Sequence, residues 1–183
     1  MKRPVPDEVI LGLLKSNPSH GYDLLEIFKS YDQLGHIWTL STSQLYAVLK
    51  RLEVEEAVEG KRIESSDAPA RVVYSVTDKG IELLNTWLFD TNPSSSIHRI
   101  RVLFLSRLYI ANILGIANNR IVENQRKVCE SQLKYFTEEK ENCSTSFEKL
   151  TLDFIIGQLK TALAWFEQCE KEFSKEGSEN MNF

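Results

Sequence analysis

Residues 41–53 read Ser-Thr-Ser-Gln-Leu-Tyr-Ala-Val-Leu-Lys-Arg-Leu-Glu, and this stretch decides the predicted fold. Ser41 and Gln44 have the spacing of a capping box, in which each of the two side chains accepts a backbone N–H at the start of a helix. Apolar residues then recur at helical spacing, at Leu45, Val48, Leu49 and Leu52. The stretch therefore predicts a helix that starts at Ser41 and buries this apolar stripe.

The opposite face of the predicted helix is small, polar and basic. It carries Thr42, Ser43, Tyr46, Ala47 and Lys50. Short side chains let a helix approach a nucleic acid closely, while Tyr46 and Lys50 can reach phosphates and Gln44 is the best candidate for a base edge. An ordinary solvated helix face has a similar composition, so this pattern alone leaves both interpretations open.

Two further helices are predicted before residue 41. The first follows Pro6-Asp7 and ends at Asn17, because the residue before a proline avoids the helical region. The second is predicted to be capped by Ser19. Its predicted inward face consists of Leu24, Leu25, Phe28 and Tyr31.

The pattern changes to β-rich segments after Ala57. Residues 58–63 and 71–76 predict two strands, joined by the turn-rich residues 65–70. Thr77 is then placed to cap a helix that bears Ile81, Leu84 and Leu88. Three helices, a hairpin and a helix within ninety residues are the order of a winged helix-turn-helix.

The second half of the chain is predicted to be helical. Residues 91–96 form the predicted linker, which gives domains at 1–90 and 97–175. Three helical patterns follow, and the last, over 146–173, has an apolar stripe longer than a three-helix module can cover alone, which predicts dimerisation through it. The residues predicted at that interface are Leu152, Ile155, Ile156, Leu159, Leu163 and Phe166. The predicted fold class is mainly α with a small β-hairpin: an N-terminal winged helix-turn-helix and a C-terminal helical dimerisation domain.

Charge limits the nucleic-acid interpretation. The net charge is −4, and residues 1–90 carry 10 basic and 14 acidic side chains. A protein that binds DNA needs a local basic surface, because phosphate contacts supply much of the affinity. Residues 38–52 contain Lys50 and Arg51 and no acid, which favours DNA binding locally. The alternative is a winged helix that contacts a protein or senses a ligand without sequence-specific DNA binding.

The order of elements and their residues resemble the PadR family of transcription regulators. The resemblance rests on His20-Gly21-Tyr22-Asp23-Leu24, on the pattern over 41–53, and on Arg71-x-x-Tyr74-x-Val76-Thr77-x-x-Gly80. It implies a DNA-binding regulator, generally a repressor, that acts as a homodimer on a near-palindromic operator. Many members of the family also respond to small aromatic or amphipathic compounds.

The resemblance also implies roles for individual residues. Ser41, Ser43, Tyr46 and Lys50 would contact operator DNA, Tyr22 would position its backbone, and Lys61, Arg62 and Arg71 would reach phosphates from the wing. For Tyr22 and Tyr46 the alternative is partial burial in the core. The family usually has glycine where Glu56 stands, at the end of the recognition helix. If that position needs a positive φ, a residue other than glycine costs about 1 kcal/mol, and the placement of the wing depends on it.

The remaining features of the sequence predict neither an enzyme nor a metal or cofactor site. His20, His36 and His98 are scattered, and no Gly-rich phosphate loop occurs. Asp7 and Glu8 are interpreted as solvated acids at a helix start. Trp87 and Trp165 offer apolar surface for an effector, with core packing as the alternative.

The cysteines and the hydropathy predict where the chain works. Cys129, Cys143 and Cys169 are an odd number without metal-ligand spacing, which is typical of free thiols in a reducing compartment. No apolar run is long enough to span a membrane, and no secretory signal is evident. We therefore expect a cytoplasmic protein whose partners are double-stranded DNA, a second copy of the chain and a small-molecule effector.

Overall fold

The structure is a computed structural model that describes residues 4–64 and 71–179, with side chains in the last helix described as far as residue 173. Its elements in chain order are α1 (Asp7–Ser16), β1 (Ser19–His20), α2 (Gly21–Lys29), α3 (Thr42–Val54), β2 (Val58–Ile63), β3 (Arg71–Val76), α4 (Asp78–Leu88), α5 (Ile97–Arg99), a π-helical turn (Ile100–Phe104), α6 (Leu105–Ile113), α7 (Asn119–Asn142) and α8 (Ser146–Glu179). Packing divides the chain into two compact units. The first comprises Met1–Leu88 with Val102–Ile116, and the second comprises Phe89–Arg101 with Ala117–Phe183.

The small sheet of the first unit has three antiparallel strands in the order β1-β3-β2. The predicted hairpin is confirmed over Val58–Ile63 and Arg71–Val76, while its connection at 65–70 lies outside the described residues. The prediction that Ser19 caps the second helix is wrong. Ser19 pairs with Tyr74 in β1 and donates its hydroxyl hydrogen to the carbonyl of Asn17, and the helix starts two residues later.

The core of the first unit is the apolar face of α1, α2, α3 and α4. Its fully buried side chains include Ile10, Leu14, Leu24, Leu45, Leu49 and Leu84. The predicted extent of α1 is confirmed, because the helix ends at Ser16, just before Asn17-Pro18. Tyr31 was predicted to face inward, and that prediction is wrong: the ring is exposed and lies beside His36, with ring centroids 4.8 Å apart.

Helix α6 packs with the first unit, although the sequence placed residues 102–116 in a C-terminal domain. The Trp38 indole donates to the Ser106 hydroxyl at 2.8 Å in a buried setting. The Arg107 Nε donates to the Trp87 carbonyl at 2.8 Å, and the same guanidinium lies over the Trp87 ring. These buried polar contacts join α6 to two separate parts of the winged helix. The functional division at residues 91–96 stays a prediction.

In the second unit, α7 and α8 form a helical hairpin. Arg126 pairs with Glu170 and Lys140 with Asp153, which sets the two helices antiparallel. The predicted linker, residues 91–96, contacts α7. The Gln125 amide donates to the Ser94 carbonyl at 2.9 Å, so this stretch is packed against α7.

The stripe predicted to form a dimer interface is largely internal to this unit. Leu152, Ile156, Leu159 and Phe166 are buried within the single chain, and Ile155 and Leu163 are half-buried. They cover the apolar residues of α7, including Val122 and Cys129. The single chain therefore already covers most of this stripe, and the role of these six residues at a dimer interface stays a prediction.

A second apolar stripe lies on α8 near its start. It consists of Phe147, Leu150 and Phe154, which are 81%, 69% and 67% exposed. Their spacing of three and then four residues puts them on one face of the helix, away from the buried stripe. Across the part of the chain that the structure describes, no helix combines the length and apolar character needed to cross a membrane.

Candidate nucleic-acid interface

The capping box predicted at the start of α3 is confirmed. The Gln44 backbone N–H donates to the Ser41 hydroxyl at 3.3 Å, and the Gln44 carboxamide oxygen accepts the Ser41 backbone N–H at 2.9 Å. The glutamine side chain is thus folded back over the helix start. Reading adenine with two hydrogen bonds requires both the oxygen and the nitrogen of a carboxamide. In this conformation one acceptor site of the Gln44 oxygen is used by the cap, and the amide nitrogen is the group that remains to donate to a base.

The two faces of α3 are divided as its sequence predicts. The stripe of Leu45, Val48, Leu49 and Leu52 is buried, and the polar face of Thr42, Ser43, Tyr46, Ala47 and Lys50 is exposed. On the exposed face between the helix start and Tyr46, Gln44 is the one side chain longer than serine or threonine, and it is engaged in the cap. Helix α3 therefore presents a low, polar surface bounded by one tyrosine and one lysine.

Helix α3 is held against α1 by an ion pair that the sequence analysis missed. The Arg51 Nε donates to one carboxylate oxygen of Asp7 at 3.0 Å, and a second guanidinium N–H donates to the other oxygen. The Asp7 hydrogen bond, followed by its charge, raises the pKa of Arg51. The interpretation of Asp7 as a solvated acid is wrong. A pairing across forty-four residues has no local spacing rule, so it could not be predicted from the sequence.

Glu8, also interpreted as a solvated acid, is partly buried. Desolvation raises the pKa of its carboxyl, and the nearby charges of Arg107 and Arg51 only partly oppose the shift. The start of α1 therefore contains one acid that is paired and one that burial disfavours in its charged form.

Helix α2 approaches α3 at Gly21. A Cβ at this position would lie 2.9 Å from the Tyr46 ring, so no larger residue fits without displacing that ring. Tyr22 and Tyr46 are 65% and 45% exposed, so neither is fully buried, and their contact with DNA stays a prediction. The Lys29 ammonium lies 5.9 Å from the centroid of the Tyr22 ring.

A cleft of about 520 Å³ opens beside the exposed face of α3. Its lining consists of His20, Gly21, Tyr22, Asp23, Tyr46, Arg71, Val72 and Tyr74. Burial, with smaller effects of Glu53 and Tyr46, raises the pKa of Tyr74, so its hydroxyl stays protonated. Tyr22, Tyr46 and Arg71 were each predicted to contact DNA. The cavity that they line together, between β3 and the start of α2, was not predicted.

The wing distributes its basic residues over two faces. Lys61 pairs with Val73 and Arg62 with Val72, and neighbouring side chains on a strand point to opposite faces. The face toward α3 is identified by Gly60, where a Cβ would lie 2.6 Å from a carboxylate oxygen of Glu53. Arg62 shares that face, and Lys61 points to the other. Both are exposed, as is Arg71.

Glu56 has a positive φ of 58°, as expected if this position requires the conformation that glycine usually adopts in the family. The Glu56 carbonyl accepts a hydrogen bond from the Thr77 hydroxyl at 2.7 Å. Its carboxylate lies 3.7 Å from the Lys79 ammonium. Glu56, in the turn between α3 and β2, thus adopts the left-handed conformation typical of glycine.

The residues predicted for an effector lie in different units. Trp87, in the first unit, is half-buried beneath the Arg107 guanidinium, and Trp165, in the second, has its ring 5.8 Å from that of Phe166. Their role in ligand binding stays a prediction. Burial raises the pKa of Cys129 and of Cys169, which disfavours reactive thiolates. Within the described ranges, no three His, Cys, Asp or Glu residues are grouped so as to hold a metal ion.

Comparison with known proteins agrees with this geometry. Residues 10–86, which span α1 to α4, match the model of the "Transcriptional regulator PadR-like family". This segment of the chain is similar to that family, and the match covers fewer than half of the residues of the chain. The description of that family names transcriptional regulators.

Individual relatives extend beyond the winged helix. The negative transcriptional regulator PadR of Bacillus subtilis is 27% identical over 130 residues, which cover 69% of this chain and 70% of the relative. Among solved structures, B. subtilis PadR in complex with operator DNA matches with a TM-score of 0.46 and 22% identity over 91% of this chain and 98% of that one. The same protein in complex with p-coumaric acid matches with a TM-score of 0.43 and 22% identity, over 93% and 99%.

Proposed function

We propose that this PadR-like regulator binds double-stranded DNA as a homodimer, with one α3 in the major groove of each half of a near-palindromic operator, and represses transcription in the cytoplasm. The observation that carries the proposal is the exposed face of α3. Its small polar surface is bordered by Tyr46 and Lys50, and its position is fixed by the capping box and by the pair of Arg51 with Asp7. A helix that enters a major groove needs such a surface on a rigid support.

The proposed DNA contacts fall into two kinds. Hydroxyl groups of Ser41, Thr42 and Ser43 face the groove, where Gln44 adds its amide N–H. Phosphates are contacted by Tyr22, Tyr46 and Lys50, and from the wing by Lys61, Arg62 and Arg71. The phosphate contacts supply affinity and orientation, and the groove contacts supply sequence preference.

The second copy is proposed to cover the exposed stripe of Phe147, Leu150 and Phe154. These three side chains are more than half exposed, whereas the opposite side of α8 is already buried against α7. Contiguous apolar surface of this kind marks an interaction site. A single winged helix contacts few base pairs, and pairing two of them by two-fold symmetry matches a near-palindromic operator.

Release by a small aromatic compound is part of the proposal. The curated relative is named a negative regulator, and one structure with a similar fold holds p-coumaric acid. Trp87 and Trp165 are the residues we propose as reporters of such a ligand, because each offers a large apolar ring. A ligand changes DNA affinity only if it binds the DNA-competent and DNA-incompetent conformations unequally.

The alternative is a winged helix that binds another protein without DNA. It is favoured by the excess of acidic over basic side chains in residues 1–90, 14 against 10. Such a protein would show no salt-dependent affinity for duplex DNA.

Lys50→Ala tests the placement of α3. The probe is a duplex selected from random DNA by the full-length protein. We expect Lys50→Ala to weaken binding to all sequences. We also expect the slope of log affinity against log salt concentration to become less steep by about the contribution of one phosphate contact. The matched control is Lys160→Ala, which removes an equivalent exposed charge from α8. Equal effects of the two substitutions would contradict the proposed role of α3. An absence of any salt-dependent DNA binding by the wild-type protein would favour the protein-binding alternative.

A further inference from the structure

The cleft between α2, α3 and β3 contains a side-chain hydrogen bond that no DNA contact proposed so far explains. The Nδ1 atom of His20 lies 3.0 Å from the carbonyl oxygen of Val72 on β3. A carbonyl can only accept, so Nδ1 carries the hydrogen and donates it. The hydrogen bond therefore runs from the His20 ring to the backbone of β3.

His20 holds two parts of the proposed DNA surface together. It ends β1 opposite Val73 and is the N-cap residue of α2, so its backbone belongs to the sheet and to the helix start at once. Strand β1 has only two residues, and the ring adds one further bond to β3, at Val72, on the side of Arg71. The distance between Tyr22 on α2 and the stem of the wing is therefore set at His20.

We propose that the cleft receives a backbone phosphate of the DNA, and that His20 is the positioning residue that fixes the start of α2 relative to β3 at this cleft. The inference rests on the proposed DNA-binding function and names one of its contacts. Tyr22, Tyr46 and Arg71 line the cleft, and their hydroxyl groups and guanidinium are the donors that we assign to this phosphate site. Neutral hydroxyls and a guanidinium are the groups that hold phosphate oxygens in protein–DNA interfaces.

One residue of the lining opposes an anion. Asp23 lies on the same cleft, and its carboxylate repels a phosphate there. The cleft therefore combines one guanidinium with one carboxylate, and we expect it to hold the phosphate mainly by hydrogen bonds from hydroxyl groups. Removal of the Asp23 charge is accordingly expected to tighten DNA binding, which is unusual for a substitution within a binding site.

The experiment uses the full-length protein and its selected duplex. A series of duplexes replaces each phosphate in turn by an uncharged methylphosphonate. In the wild-type protein we expect one position per half-site, distinct from the positions contacted by Lys50, Lys61 and Arg62, at which the replacement weakens binding about tenfold. In His20→Ala we expect that loss to disappear, because His20 and this phosphate are coupled. In Lys50→Ala we expect it to persist, because Lys50 contacts a different phosphate. Each comparison is a double-mutant cycle between a side chain and a phosphate.

Conservative variants separate positioning from folding. His20→Asn retains an N–H donor for the Val72 carbonyl, so we expect it to restore the tenfold loss at the same phosphate. Asp23→Asn is expected to raise DNA affinity several-fold, while Glu82→Gln, the same loss of charge on α4 outside the cleft, leaves affinity unchanged. The inference is overturned if His20→Ala weakens binding equally on every methylphosphonate duplex, or if Asp23→Asn and Glu82→Gln have the same effect. Absence of DNA binding by the wild-type protein would overturn the proposed function and this inference with it.

Discussion

The guanidinium of Arg51 donates hydrogen bonds to both carboxylate oxygens of Asp7, which joins α3 to the first turn of α1. The aspartate side chain is mostly buried, and the arginine side chain is partly exposed. A fork that meets a carboxylate with two parallel bonds fixes orientation as well as distance. The helix proposed to enter the major groove is therefore attached by its C-terminal half to a rigid neighbour.

We expect Asp7→Ala to lower the free energy of unfolding by about 1–2 kcal/mol, because the partly buried guanidinium loses its partner. Urea denaturation of the full-length protein measures the change. Lys127→Ala is the matched control, since it removes an exposed pair with Glu123 that contributes little. DNA affinity should fall without a change in salt dependence, because no phosphate contact is removed. A stability loss no larger than that of the control would contradict this role of Asp7.

Glu56 adopts a backbone conformation that favours glycine. At a φ of 58°, a side chain with a Cβ is strained, so Glu56→Gly should raise the free energy of unfolding by up to about 1 kcal/mol. Glu55→Gly provides the control, because Glu55 has a φ of −80° and gains nothing from glycine. Thermal unfolding followed by circular dichroism compares the two. If both substitutions destabilise the protein, the strain at Glu56 is relieved in some other way.

Glu8 predicts a specific dependence of stability on pH. Burial raises the pKa of its carboxyl in the folded protein above the ordinary value, so the folded state binds a proton more tightly than the unfolded state does. The contribution of Glu8 to stability therefore falls as pH rises from the unfolded pKa through the folded one, and stays low above that range. Glu8→Gln should be more stable than the wild type at neutral pH, and the difference should vanish as pH falls toward the unfolded pKa. Denaturation midpoints at several pH values test this, and a Glu8→Gln protein that is less stable at neutral pH would contradict it.

The two apolar faces of α8 have different expected responses to a charge. Phe154→Glu alters the exposed stripe, so we expect a folded monomer in equilibrium sedimentation. Ile156→Glu buries a charge among the side chains that face α7 and should unfold the second unit. Lys160→Glu, exposed on α8 outside the stripe, should leave both folding and mass unchanged. A dimer that persists in Phe154→Glu would exclude this stripe as the interface.

Local patterns in the sequence predicted the local structure well. The capping box of Ser41 and Gln44 and the two strands of the hairpin were found because each depends on residues close together in the chain. The resemblance to the PadR family, in which glycine usually stands at the position of Glu56, likewise pointed to a possible positive φ there, which is observed. Both faces of α3 followed from a period of 3.6 residues.

The contacts that could not be predicted from the sequence join residues far apart in the chain. Pairing of Arg51 with Asp7, of Trp38 with Ser106 and of β1 with β3 joins positions more than forty residues apart, and no spacing rule relates them. The cleft beside α3 depends on the last of these, the pairing of β1 with β3. On α8, periodicity identified an apolar stripe but not which of two stripes its own chain covers, because Phe147, Leu150 and Phe154 also repeat at helical spacing.

The most direct test of the account is the affinity of the full-length protein for its selected duplex compared with a shuffled duplex of the same composition, measured by fluorescence anisotropy over a range of salt concentrations. We predict that the selected duplex binds at least about a thousandfold more tightly at physiological salt, and that the logarithm of its affinity falls linearly with the logarithm of salt. Equal affinity for the two duplexes, or binding that does not respond to salt, would contradict the claim that α3 reads operator DNA.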